Sequence, residues 1–160
     1  MSLYITGTKD FSLSKELENK LNKAFLLICN EEEISNSSVN LKILSNTDIQ
    51  ELNKKYRRIN NPTNVLSFTN EDISKSITGD LGDIAISYEY LQKESYQQNK
   101  KFDDHFIHML IHAVYHILGF DHKNDEMAKL MESKEIKILK KLNINNPVSY
   151  THLTLPTNQC

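Results

Sequence analysis

The chain is expected to fold as an α+β domain, a small mixed four-stranded sheet packed with helices, one of which carries metal ligands. Three observations predict this. Four short runs with strand character and five longer stripes of helical period follow one another in the order β-α-β-α-β-β-α-α-α. The stripe holding Phe106, Met109, Leu110, Val114, Ile117 and Leu118 is apolar on most sides, so it should be central and buried. That same stripe carries histidines at a chelating spacing.

Taken in order, Leu3 to Thr6 are predicted to form a first strand closed by Gly7. Ser12 or Ser14 then caps a helix whose Leu17, Leu21, Phe25 and Leu26 make one apolar stripe. After a turn at Asn36 to Ser38, Val39, Leu41 and Ile43 alternate with Asn40 and Lys42, giving a strand with one buried face. Asn46 or Thr47 is expected to cap a second helix running through Ile49, Leu52 and Tyr56, broken at Asn60-Asn61-Pro62. Val65 to Phe68 is a compact strand, Thr69 to Thr78 a polar loop, and Leu81 to Ser87 a strand with Ile84 and Ile86 on one face. A helix over Tyr88 to Gln98 and a linker over Asn99 to Lys101 precede the histidine helix, for which Asp103 or Asp104 is the expected cap. Asn124 starts a last amphipathic helix through Met127, Leu130, Met131, Ile138 and Leu142.

Residues 1–147 are read as one domain, since 160 residues with 39% hydrophobic and 25% charged content suffice for a core without staples. Residues 148–160 follow a stop at Pro147 and have no helical stripe. They resemble a translated cloning scar, and the expectation is a non-native or disordered tail, His152 and Cys160 included. A formal net charge of −2 excludes a general nucleic-acid coat and requires any RNA contact to be local. The absence of a membrane-length apolar run and of a charged-then-apolar leader makes the cytoplasm the expected location. Cys29 and Cys160 make neither a disulfide framework nor a cysteine metal cluster.

Five of the six histidines fall between positions 105 and 122, and three stand in the run His112-Ala113-Val114-Tyr115-His116-Ile117-Leu118-Gly119-Phe120-Asp121-His122. Residues four apart on a helix have β-carbons about 5–6 Å apart, so His112 and His116 can reach one ion. Gly119 can end the helix in a left-handed conformation, letting the chain fold back and bring His122 to the same ion. Three neutral imidazoles leave one tetrahedral position for water, the pattern of a catalytic metal site and hence of a metal-activated hydrolase. His108 could extend the stripe but would drift around the axis by about 40° per step of four. His105 is expected to be a solvated first-turn residue. Three imidazoles suit zinc, nickel, copper or iron, so the pattern alone leaves the metal open.

This histidine run resembles the signature of the YbeY family of bacterial endoribonucleases. Two further blocks agree: Leu52-Asn53-Lys54-Lys55-Tyr56-Arg57 followed by Pro62-Thr63-Asn64-Val65-Leu66-Ser67-Phe68, and Gly79-Asp80-Leu81-Gly82-Asp83-Ile84. The resemblance extends from about Ile43 to Asn143. It implies a zincin-like fold, with a four-stranded sheet and the ligand helix beneath it. It implies one zinc ion on His112, His116 and His122, a functional role for Arg57, and an RNA substrate. In that family the substrate is precursor ribosomal RNA of the small subunit, cut in maturation of the 16S 3′ end and in ribosome quality control. A ribosomal protein or a GTPase is the implied partner. Ala113, Arg58, Asn60, Thr69 and Tyr115 depart from residues frequent in the family, which puts loop shape in doubt more than the ligands.

The spacing is also that of metzincin proteases, but their general base directly follows the first histidine, and Ala113 cannot move a proton. For RNA, Arg57 would contact a phosphate in bidentate fashion, while Lys54, Lys55 and Arg58 either track the backbone or form a solvated helix face. Asp83, polar amid an apolar strand, is the candidate base or orienting carboxylate, or else a strand-entry turn residue. Asp121 either orients a histidine ring or helps to end the helix, and Asn64 and Ser67 stay unassigned. A competing class is a non-catalytic ribosome-assembly factor with a structural metal, for which His108 or Asp121 would complete four protein ligands.

Overall fold

The computed structural model describes residues 2–7, 11, 13–70 and 80–145. Its elements are β1 (Ser2–Gly7), α1 (Lys15–Glu31), β2 (Ser38–Leu44), α2 (Asn46–Arg57), β3 (Val65–Thr69), β4 (Asp80–Ser87), α3 (Tyr88–Gln97), α4 (Phe102–Ile117) and α5 (Asp125–Lys141). The expected 1–147 boundary, the 148–160 tail and most of the Thr69 to Thr78 loop fall outside the described residues. No helix among the described residues is long and apolar enough to cross a membrane.

The strands pair in the order β1-β2-β4-β3. β1 and β4 both run parallel to β2, while β3 is antiparallel to β4 and forms an edge. The sheet is therefore mixed, and the fold is α+β as expected. Period-two alternation divides its residues between two faces. Val39, Leu41, Ile43, Val65, Ile84 and Ile86 join the main core with α1 and α4. Leu44, Leu66 and Ala85 face the other way, under Ile49 and Leu52 of α2, with Phe68 at their edge. Gly82 is needed where β4 meets β3, because a Cβ there would lie 2.3 Å from the Phe68 carbonyl oxygen.

α4 is the centre of the fold, packed against α1, α3, α5 and β3. Every residue from His105 to Tyr115 is buried, which accounts for its all-round apolar pattern. Ser14 caps α1, its Oγ accepting from the Leu17 N–H. Three local expectations are corrected. The cap of α2 is Ser45, whose Oγ accepts from Asp48 N–H. Asn46 instead accepts from Ser87 Oγ at 2.7 Å and so ties α2 to the start of α3. α4 begins after Lys101 without a side-chain cap, and Asp103 and Asp104 sit in its first turn, where their charge opposes the positive helix end. Leu26 is 44% exposed, and Ala24 and Ile28 complete the buried stripe of α1 in its place.

Candidate metal centre

The last turn of α4 and the turn after it bring three imidazoles together. Ring centroids lie 6.1 Å apart for His112 and His116, 5.8 Å for His112 and His122, and 6.0 Å for His116 and His122. Gly119 makes the reversal, with φ at +103°, and the N–H groups of Gly119 and Phe120 donate to the carbonyls of His116 and Tyr115. These bonds satisfy carbonyls that a helix end would otherwise leave open.

Two rings are oriented from behind. His112 Nδ1 lies 2.7 Å from Glu135 Oε2, and His116 Nδ1 lies 2.8 Å from the Phe120 carbonyl oxygen. A carbonyl only accepts, so His116 donates from Nδ1 and keeps a lone pair on Nε2. An ionised Glu135 imposes the same tautomer on His112. The His112 Nε2 is buried and has no hydrogen-bond partner among the described residues. A buried polar atom without a partner is costly in a fold that serves structure alone. Burial and the neighbouring His112 and His116 rings push the His122 pKa down, favouring the neutral form that can ligate.

Glu135 arrives from α5 and bridges two rings, its Oε1 standing 2.9 Å from His108 Nε2. Burial by itself would raise its pKa, but His112 and His108 outweigh that effect and hold it down to about 2. Metal-ligating histidines usually give their second nitrogen to a carboxylate or carbonyl, and the contacts of His112 with Glu135 and of His116 with Phe120 have that form. The donor chemistry of these imidazoles suits a metal ion, which His112, His116 and His122 would hold. As they stand, no three His, Cys, Asp or Glu side chains among the described residues are arranged to hold an ion. Loading would require the rings to adjust.

The other sequence candidates are placed as follows. His108 has its Nε2 engaged by Glu135 and stands behind the triad. His105 is fully buried, which corrects its expected exposure. α3 folds against the first turn of α4, and Glu94 Oε1 lies 2.9 Å from the His105 Nε2. Asp83 is not brought to the histidines. β4 is an interior strand whose Ile84 and Ile86 face α4, so residue 83 points to the opposite face, where Asn40 Nδ2 donates to its Oδ1 at 2.9 Å. Asp121 accepts from the Lys123 N–H and lines a cleft of about 190 Å³ with Ser67, Thr69, His116 and Lys123. Asn64 caps its own strand, Oδ1 accepting from Val65 N–H at 2.7 Å. Arg57 ends α2, its Nη1 3.5 Å from Asn53 Oδ1, and Asn53 in turn donates to the Asn61 carbonyl on the way into β3.

Glu135 and Glu94 escape a reading by motif. The available signal was periodicity: Glu135 lies on the buried stripe of Met131, Ile138 and Leu139, and Glu94 lies beside buried Leu91. A carboxylate on the apolar face of a helix calls for a buried partner.

Comparison with known proteins finds relatives that match most of the chain. The sequence profile described as endoribonuclease YbeY matches residues 4–143, reaching further toward the N-terminus than the motif blocks. A protein named endoribonuclease YbeY from Francisella tularensis subsp. tularensis strain SCHU S4 is 42% identical over 134 residues, covering 81% of this chain and 80% of that one. Its namesake from Francisella philomiragia subsp. philomiragia is 42% identical over 134 residues, with 81% and 85% covered. The solution structure of TM1509 from Thermotoga maritima has the same fold, with a TM-score of 0.61 at 23% identity, covering 89% of this chain and 92% of that one.

Proposed function

Since this chain belongs to the endoribonuclease YbeY family, we propose that it is a metal-dependent endoribonuclease specific for single-stranded RNA. The observation that carries the metal reading is the buried His112 Nε2, left without a partner beside two further imidazoles. His112, His116 and His122 would hold one zinc ion. When bound, zinc supplies Lewis acidity, polarising a phosphoryl oxygen and acidifying water. Glu135 and the Phe120 carbonyl hold His112 and His116 in the tautomer that leaves Nε2 available. Arg57 would clamp a phosphate and offset the charge that builds in the transition state. Asp83, bonded to Asn40 on the sheet face opposite Ile84 and Ile86, is given no proton-transfer role in this reading. Ala113 argues against a peptidase, which needs a carboxylate at that place.

The substrate in this reading is precursor ribosomal RNA of the small subunit, cut in maturation of the 16S 3′ end and in ribosome quality control in the cytoplasm. A ribosomal protein or GTPase would deliver it. The test is cleavage of a labelled RNA spanning the 3′ end of 16S precursor by the zinc-loaded protein, beside His116→Ala purified identically. Cleavage by the parent alone supports the reading. Equal cleavage by both points to a contaminating nuclease. No cleavage by either points to an assembly role with a structural metal, or to a missing partner.

A further inference from the structure

α2 covers only part of the sheet face opposite the histidine helix. Beside it lies a groove of about 520 Å³, lined by Thr6, Asn40, Lys42, Tyr56, Phe68 and Asp83 among others. Tyr56 is 56% exposed there, held edge-on to Phe68 with centroids 5.1 Å apart. A tyrosine this exposed contributes little to the core, yet Phe68 fixes its orientation. The Lys55 ammonium stands 5.1 Å from the Tyr56 ring centroid. Residues 52–58, Leu-Asn-Lys-Lys-Tyr-Arg-Arg, carry four cations and no acid in a chain of net charge −2. At the groove floor, Asp83 is held by Asn40. A carboxylate there repels phosphate, so a nucleic acid would run its backbone along the rim made cationic by Lys42 and Lys55 and turn a base inward.

We propose that this groove is a stacking platform for one base of the single-stranded RNA, with Tyr56 as the ring it lies on. The proposal rests on the endoribonuclease reading and deepens it. Continuity with the histidine cleft supports it: Ser67 lines that cleft and its neighbour Phe68 lines the groove, so the two sites share the edge strand β3. An RNA strand passing around that edge engages both. Base–aromatic stacking tolerates any sequence, since every base has a π-face, and the lysine beside the ring strengthens it. The cationic rim favours a polyanion over a protein partner.

The test uses the full chain, zinc-loaded, with short single-stranded RNAs carrying 2-aminopurine at one position at a time, and Tyr56→Ala beside Tyr56→Phe. Anisotropy reports binding, 2-aminopurine fluorescence reports stacking, and metal content with thermal midpoint confirms an intact fold. The parent and Tyr56→Phe should quench the probe at one defined position outside the cut site. Tyr56→Ala should lose that quench and raise KM about tenfold while kcat changes less than twofold. If the parent binds and cleaves RNA but shows no position-specific quench, or Tyr56→Ala quenches as the parent does, the platform is wrong and the endoribonuclease reading stands. Parent-level RNA affinity in Tyr56→Ala would leave the groove to a protein partner instead. If the parent neither binds nor cleaves RNA, both readings fall together.

Discussion

His105 and His112 lie seven residues apart on one helix, about two turns, and both are buried and bonded to a glutamate from a neighbouring helix. The glutamates take different nitrogens. Glu94 meets His105 at Nε2, and Glu135 meets the next ring, His108, at Nε2 as well. At His112 Glu135 takes Nδ1, and at His116 the Phe120 carbonyl does the same. The first half of α4 therefore points the outer nitrogens of its rings at carboxylates inside the fold. The second half is held at the inner nitrogen and presents the outer one toward the triad, where His112 Nε2 goes unpartnered among the described residues. Residue type and burial do not separate a structural histidine from a proposed ligand here; the nitrogen that the fold has already used does.

The largest effect that would break this contrast is loss of a ligand. His116→Ala should reduce bound metal from one equivalent to almost none, since two imidazoles rarely hold zinc tightly. The folded state should persist, because His116 is only half-buried at the end of α4. Elemental analysis after dialysis checks the first claim and far-UV circular dichroism the second. A full equivalent of metal in His116→Ala would remove the triad as the binding site.

The carboxylates sharpen the comparison. Glu135→Gln should weaken zinc affinity about 10- to 100-fold, the usual consequence of losing a group that orients a ligand. Glu94→Gln should leave zinc affinity unchanged and destabilise the fold by about 2 kcal/mol through the loss of a charged buried hydrogen bond. Competition with a chelating dye and urea denaturation separate the two outcomes. Equal effects of both substitutions on zinc would mean that α4 responds as a single body.

Acid adds a further distinction in the metal-free protein. The Glu135 carboxyl titrates near 2 in the folded chain against an ordinary value of 4.5. A depressed carboxylate contributes stability that is complete above its unfolded pKa and is lost as pH falls through its folded one. Stability should therefore fall from about pH 4.5 toward 2, and Glu135→Gln should flatten part of that slope, as urea midpoints across the range would show. An identical slope in the parent and the variant would mean that other carboxylates carry it.

The histidine spacing was legible because helical geometry alone places residues four apart on one side. The strand order of residues and the α+β class were legible from period, although β1-β2-β4-β3 pairing needed the folded sheet. The position of Asp83 is legible in the sequence too: with Ile84 and Ile86 on the core face, alternation sends residue 83 to the other side. His105 was hidden by its polar surroundings in sequence, Lys101, Asp103 and Asp104, because the partner that buries it comes from α3. Glu135 was hidden by distance along the chain. It stands 23 residues from His112 and becomes its partner only through the packing of α5 on α4.

The smallest expected effect tests whether the turn matters for geometry or only for stability. At Gly119 a Cβ would meet nothing within 4 Å, so space is available, while φ at +103° is a conformation that L side chains rarely adopt. Gly119→Ala should then cost about 1–2 kcal/mol through backbone strain alone. The chain can relieve that strain by moving φ toward negative values, and the segment that would swing is the one carrying His122. Zinc affinity should accordingly fall more than stability does, whereas an alanine placed elsewhere with an equal stability cost should leave affinity intact. A Gly119→Ala protein that loses stability yet binds zinc as the parent does would show that His122 reaches the ion by a route independent of this turn.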